Sequence, residues 1–375
     1  MAVPSSGQLR EYADIGTEIG VAQSNVSLRG MSQTAGFSAP DAMSEFYGYS
    51  SMTPTDHYDA ISYTGNGVDP RNITGLSFKP SIVFISTVNI NGWPKYWFYE
   101  KDVNSIWKLE TTSRNPAQNA STDDEMRSFN SNGFTVGDDA QVNLNGNPYV
   151  AYCFRAGSSF VANYNGSISS YVSSNPAAGF SIARWNGTGS AGSVGHGLDS
   201  TPDLIITKSE QRSEWWGVQT SISGVWQYGV TRGDLASTEV SKDGTNTVTS
   251  ANSSSFSIGT HADINLNGFD FVSYCFHNVN GYQKVGTYVG NGVSRNIDTG
   301  FQARFVWIKS GAKTGDSVGS WHMFSSEIGF NLINITENNN WVNYSIVTSN
   351  SSGFRLNDGP SLNESGKTFL YLAIA

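Results

Sequence analysis

One sequence pattern occurs three times along this chain, and that repetition limits what the chain can fold into. The first copy runs from Phe134-Thr135-Val136-Gly137 through Leu144-Asn145-Gly146 to Tyr149-Val150-Ala151-Tyr152-Cys153-Phe154. The second reads Phe256-Ser257-Ile258-Gly259, Leu266-Asn267-Gly268 and Phe271-Val272-Ser273-Tyr274-Cys275-Phe276. The third, weaker, reads Phe354-Arg355-Leu356, Leu362-Asn363, Gly366 and Phe369-Leu370-Tyr371-Leu372-Ala373. From phenylalanine to cysteine the first two copies span 19 residues, and Phe354 to Leu372 spans 18. That matches Leu372 with Cys153 and Cys275. A period of roughly a hundred residues is too long for a solenoid repeat and suits a whole small domain. The chain reads as one module used three times.

Upstream landmarks repeat too. Tyr63-Thr64-Gly65-Asn66-Gly67 is a strand entering a tight turn, because Asn-Gly tolerates positive φ. Arg71-Asn72-Ile73-Thr74-Gly75 then leads to the apolar strand Ile82-Val83-Phe84-Ile85. Tyr288-Val289-Gly290-Asn291-Gly292, Arg295-Asn296-Ile297 and Phe305-Val306-Trp307-Ile308 restate this closely. Trp185-Asn186-Gly187 and Leu204-Ile205-Ile206 restate it loosely. Strands such as Ile82–Ile85 and Tyr149–Phe154 are apolar on both alternations, so both of their faces need covering. No long stretch has a helical period, and the expectation is an all-β chain of three β-sandwich modules. The boundaries expected are an N-terminal segment 1–54 and modules at 55–157, 178–278 and 279–375. The Ser- and Asn-rich stretch Gly157 to Pro176 reads as a joint that leaves the first module the freer one. Modules two and three meet almost without a linker.

Composition agrees with an all-β fold. Charged residues make up 14% of the chain and aromatics 13%, with 40 glycines in 375 residues. Turn formers combined with aromatic and β-branched residues mark β structure. A net charge of −9 argues against nucleic acid as a partner. No run of 18 apolar residues offers a membrane span, and residues 1–20 lack a signal-peptide layout. Cys153 and Cys275 hold the same place in two separate copies, so they read as buried free thiols, suited to assembly in a reducing cytoplasm.

Residues 1–50 differ from the rest. Leu9, Tyr12, Ile15 and Ile19 recur at helical spacing, with Glu11, Asp14 and Glu18 opposite. A second short segment carries Phe46 and Tyr47. So few apolar side chains cannot bury a core alone. These six residues are therefore expected to dock on another chain or another surface.

The run Tyr274-Cys275-Phe276, Gly281-Tyr282-Gln283-Lys284-Val285-Gly286-Thr287-Tyr288-Val289-Gly290-Asn291-Gly292 and Phe305-Val306-Trp307-Ile308-Lys309 resembles a family of jelly-roll modules in bacteriophage tail and fibre-like proteins. The ending Phe369-Leu370-Tyr371-Leu372-Ala373-Ile374-Ala375 is similar to that family's terminus. Val3-Pro4-Ser5-Ser6-Gly7 and Ser38-Ala39-Pro40-Asp41-Ala42-Met43-Ser44-Glu45-Phe46-Tyr47-Gly48 resemble the N-terminal piece of many phage tail, collar and fibre proteins. The resemblance implies concanavalin-like sandwiches in a virion structural protein, assembled in the host cytoplasm and exposed on the particle. It implies contacts to other virion proteins and, as for many fibres, a homotrimer. It carries no catalytic residues. The alternatives are a capsid-surface decoration or head fibre protein without a receptor role, and a glycan hydrolase.

Candidate chemistry is sparse. Asp123-Asp124-Glu125 reads as a solvated loop rather than a Ca²⁺ site or glycosidase pair, and Asp138-Asp139 as turn chemistry. The histidines show no metal spacing and pair with no nucleophile. No enzyme, cofactor or metal is expected. Trp97, Trp216 and Trp321, with Trp107 and Trp226 after them, recur between copies and read as core. Trp93 and Trp341 do not recur. They sit in Asn-rich tips and are the candidates for stacking on a host-surface polysaccharide.

Overall fold

The computed structural model describes residues 53–87, 96–102, 105–111, 115–214, 216–220, 227–231, 247–310, 321–328, 333–334, 347–357 and 360–375. The chain divides into two compact units, Met1–Thr53 and Pro54–Ala375, and all three repeats lie in the second.

The first repeat comprises β1 (Tyr58–Thr64), β2 (Arg71–Thr74), β3 (Ile82–Thr87), β4 (Tyr96–Asp102), β5 (Ser105–Glu110), β6 (Gln118–Asn119), β7 (Met126–Asn130), β8 (Gly133–Val136), the short helix α1 (Ala140–Asn143) and β9 (Pro148–Phe154). The second comprises β10 (Val161–Asn163), β11 (Ser170–Asn175), β12 (Phe180–Asn186), β13 (Gly192–Gly195), β14 (Leu204–Ser209), β15 (Trp216–Thr220), β16 (Gln227–Thr231), β17 (Val248–Ala251), β18 (Ser255–Ile258), α2 (Ala262–Asn265) and β19 (Asp270–Phe276). The third comprises β20 (Gln283–Val289), β21 (Arg295–Asp298), β22 (Phe305–Ser310), β23 (Trp321–Ser325), β24 (Ile333–Asn334), β25 (Val347–Asn350), β26 (Gly353–Leu356), α3 (Pro360–Asn363) and β27 (Thr368–Ile374).

Each repeat builds a large and a small antiparallel sheet. The large sheets run β1-β9-β3-β4-β5-β6, β10-β11-β12-β19-β14-β15-β16 and β20-β27-β22-β23-β24. The small ones run β2-β8-β7, β13-β18-β17 and β21-β26-β25. In every copy the closing strand inserts between an early strand and the next long one. It is therefore hydrogen-bonded along both edges, and its two-sided apolar sequence requires cover on both faces as well.

Each pair of sheets shares one apolar core. In the first repeat Val83, Ile85, Phe98, Ile106, Tyr149, Ala151 and Cys153 of the large sheet meet Ile73, Met126, Phe134 and Val136 of the small one. Equivalent cores gather around Ile205, Phe256, Phe271 and Cys275, and around Val306, Phe354, Phe369 and Ala373. The two cysteines are free and buried, and burial pushes the Cys275 thiol up to about 12.

The ladders correct the alignment of the third copy. Cys153 lies opposite Val83, Cys275 opposite Ile205, and Ala373 opposite Val306. Leu372 instead faces Trp307, as Tyr152 faces Phe84 and Tyr274 faces Ile206. The expected match of Leu372 to the cysteines is one residue out, and one residue reverses the face. Phe354 to Ala373 restores the spacing of 19.

The opposite faces of the large sheets carry Phe84, Trp97, Tyr152 and Phe154; Ile206, Trp216, Tyr274 and Phe276; and Phe305 and Trp307, all buried. These faces cover one another. The Trp97 ring lies 5.7 Å from Trp216, 4.7 Å from Tyr274 and 5.5 Å from Trp307. Phe305 packs 5.2 Å from Tyr58 and 5.7 Å from Phe154, which in turn lies 6.1 Å from Phe180. The first repeat is thus held by both others and is not the freer one. Trp97 and Trp216 are buried as expected, but in this shared seam rather than in the core of their own repeat. Nor are they equivalent: Trp97 stands opposite Phe84, whereas Val218 stands opposite Ile206. Trp107 is only half-buried, with the Lys101 ammonium 4.2 Å from its ring centroid.

The stretch Gly157 to Pro176 is not a joint. It forms β10 and β11, which extend the second large sheet beyond β12. Among the described residues neither strand has a counterpart in the other large sheets.

Candidate functional site

The same loop architecture recurs at one end of all three repeats, and one buried asparagine holds it each time. Asn143 Oδ1 accepts from the Asn66 backbone N–H at 3.0 Å, and Nδ2 donates to the carbonyls of Val68 (2.9 Å) and Gly137 (2.8 Å). Asn265 does the same with Thr188 (2.9 Å), Ser190 (2.8 Å) and Gly259 (2.7 Å). Asn363 accepts from Asn291 N–H at 3.1 Å and donates to the Val293 carbonyl at 2.5 Å. All three side chains are fully buried. Each thus satisfies backbone groups that a turn leaves unpaired, which is why the fold tolerates an amide there.

The turn also requires glycine. A Cβ on Gly65, Gly187 or Gly290 would sit 2.0, 2.2 or 2.2 Å from the carbonyl oxygen of Leu144, Leu266 or Glu364. An aromatic pair closes each loop from below. Tyr63 stacks on Tyr149 at 5.2 Å, Trp185 on Phe271 at 5.7 Å, and Tyr288 on Phe369 at 5.0 Å. Tyr63 and Tyr288 each donate their hydroxyl to a carbonyl of the neighbouring helical turn, Val142 or Leu362, at 2.7 Å.

Matching by letter had paired Asn363 with Asn145 and Asn267. By role it is the counterpart of Asn143 and Asn265. The signal was present as spacing: each buried asparagine follows the repeated phenylalanine by 9 residues and precedes Cys153, Cys275 or Ala373 by 10.

Strands β3, β14 and β22 all finish at this end, where Thr87, Ser209 and Ser310 pair with the first aromatic of the closing strand. Trp93 and Trp341 lie outside the described residues. So do Leu9, Tyr12, Ile15, Ile19, Phe46 and Tyr47. The loops that are described present Val68 and Val293 at corresponding positions, 54% and 59% exposed.

The carboxylate run behaves differently from the solvated loop expected. Asp123 and Asp124 are exposed, and Asp124 pairs with Arg127. Glu125 is buried and bonds Lys108 Nζ at 2.6 Å. Lys108 is itself buried, on the core-facing side of β5. Desolvation outweighs this partner and pushes the Glu125 carboxyl up to about 7. The folded protein therefore holds that proton at pH values where the unfolded chain has released it. Stability from this group is greatest below about pH 4.5 and falls as pH rises towards 7, by roughly 3 kcal/mol at most. Glu125→Gln should flatten that part of a pH series of urea midpoints relative to wild type. An unchanged slope would mean that the carboxyl is not held up. Asp139 does serve its turn, accepting from Gln141 N–H at 2.7 Å to cap α1.

A buried polar link crosses the seam. Glu210 accepts from the Tyr99 hydroxyl and from Arg184, both at 2.7 Å, and Arg184 also donates to the Lys101 carbonyl at 3.0 Å. Arg304 joins Asp59 across the other seam at 2.7 Å. No group of three or more His, Cys, Asp or Glu is placed to hold a metal among the described residues. Among them, too, no helix is long and apolar enough to cross a membrane.

A single family model spans the three repeats and their seams together, matching residues 53–375. The chain belongs to the family described as a domain of unknown function (DUF7483). The match begins where the compact unit of repeats begins. No curated protein matches the chain.

Proposed function

We propose that this DUF7483 chain is a structural protein of a bacteriophage particle, a tail or neck fibre-like component without catalytic activity. Its three repeats act as concanavalin-like jelly-roll modules fused into one rigid head. Residues 1–54 dock that head on other virion proteins, and the loop ends meet glycans on the host surface. The assembly is a homotrimer. The observation that supports this reading best is the seam around Trp97. It fixes three sets of loops relative to one another and turns the large-sheet faces inward, so that loops and sheet edges are what a partner meets. Locating the protein in a reconstruction of the particle tests it: density at the tail or neck supports the proposal, and density dispersed over the capsid overturns the fibre assignment.

Val68 and Val293 favour a second reading. Apolar tips at the same place in two repeats suit protein contact better than sugar contact, as a capsid-surface decoration or head fibre protein would need. The two readings agree on the N-terminus. A variant beginning at Thr55 should keep the melting temperature and β spectrum of the repeat unit, since the two units are separately compact, yet be missing from purified particles. Incorporation at wild-type level would remove residues 1–54 as the anchor.

A further inference from the structure

We infer that the strands peculiar to the second repeat build a saccharide-binding cleft against the first. A cleft of about 250 Å³ is lined by residues 77–81 and Arg155 of the first repeat together with residues 157–160. Its lining also includes Ser173 and Ile182 of the second repeat and Glu100 of the first. The segment Gly157 to Pro176 contributes β10 and β11, which no other large sheet has among the described residues, and reaches the core of its repeat through Ile168, between the two strands. An addition absent from the sister repeats is where a specialised role is to be sought.

The chemistry of the lining points to the ligand. Six of the fourteen lining residues are serines; the hydroxyls of Ser77, Ser81 and Ser173 donate to the carbonyls of Thr55 and Gly157 and keep acceptor capacity for a ligand hydroxyl. The Lys79 ammonium is neutralised by Glu100 at 2.8 Å. Among the described residues the Arg155 guanidinium gives one hydrogen bond, to the Asp56 carbonyl at 3.2 Å, which leaves further donors for a ligand oxygen. The half-buried Phe160 ring supplies an apolar wall, with Arg184 5.8 Å from its centroid.

A second ring extends the same face. Ser173 and Ile182 are a cross-strand pair, and the next pair on that side is Tyr171 with Arg184. Tyr171 is 60% exposed. Two rings flanking Arg184, beside a serine-rich cleft, match the alternation of apolar ring face and hydroxyl edge along a sugar chain. The net charge of −9 and the Lys79–Glu100 pair favour a neutral sugar over an acidic one.

This rests on the glycan-contact part of the proposal above but places the contact elsewhere than Trp93 and Trp341. The test is calorimetric titration of the full chain with tetramers of glucose, of N-acetylglucosamine and of galacturonic acid. At least one neutral tetramer should bind, with affinity falling at least tenfold in Phe160→Ala and in Tyr171→Ala. Arg155→Gln, a surface change that leaves the core alone, should weaken it severalfold. No binding by either neutral tetramer, or tighter binding of the galacturonate, overturns the inference. Binding lost in Trp93→Ala but intact in Phe160→Ala and Tyr171→Ala overturns the cleft while leaving glycan contact by the loops standing. Particle location is read separately and is untouched by any of these results.

Discussion

Trp97→Ala should cost the repeat unit about 3–5 kcal/mol, the usual range for deleting a large buried aromatic. Trp97 is 3% exposed, stands on the first repeat's large sheet and touches rings of both others: Trp216 and Tyr274 of the second, and Trp307 of the third. Removing it opens a void where three surfaces meet, and none of them can close it alone without shifting a whole sheet. Interiors are too closely packed to absorb such a gap. Thermal unfolding should begin roughly 5–15 °C earlier and lose its single sharp transition, as repeats released from the seam melt separately. Trp107→Ala is the matched comparison. That ring is half-buried beside Lys101, and its loss should cost no more than about 1 kcal/mol. If both variants melt alike in calorimetry, the seam does not hold the repeats together.

The elements of each repeat were legible because their signals are local. Two-sided apolar strands such as Ile82–Ile85, glycine-bearing turns such as Gly65-Asn66-Gly67 and the thrice-used closing strand all declare themselves within a few residues. What covers the second face of those strands was not legible. A strand apolar on both sides asks for cover but does not name it, and here the cover of Tyr152 and Tyr274 is the other repeats rather than a second layer of their own. Glu125 shows the same limit. A carboxylate in a polar run is exposed by default, and only its closeness to Lys108, 17 residues earlier on β5, makes its burial tolerable. The β10–β11 insertion was hidden by composition. Serine and asparagine read as linker, while the alternation of buried Ser170 and Val172 with exposed Tyr171 is too short to stand out.

Asn265→Ala should destabilise the second repeat by about 3 kcal/mol or more. The side chain pairs the Thr188 N–H and the carbonyls of Ser190 and Gly259. Alanine leaves these groups without their partner, and a buried group so stranded costs about 1–3 kcal/mol. Asn265→Asp sharpens the test. A carboxylate can still accept from Thr188, but it turns a second oxygen toward two carbonyls and buries a charge, so its folded-state pKa must lie above the unfolded value. Its stability therefore improves as pH falls and the carboxyl takes up a proton, whereas the alanine variant gains nothing by this route. Asn267→Ala, at the exposed residue two places on, is the control and should change stability by less than about 0.5 kcal/mol. Urea midpoints for the three variants at two pH values separate the possibilities. An alanine variant at Asn265 as stable as the one at Asn267 would show that the loop holds its shape without the amide. The corresponding asparagines at 143 and 363 would then have no claim to organise the loop ends of their repeats.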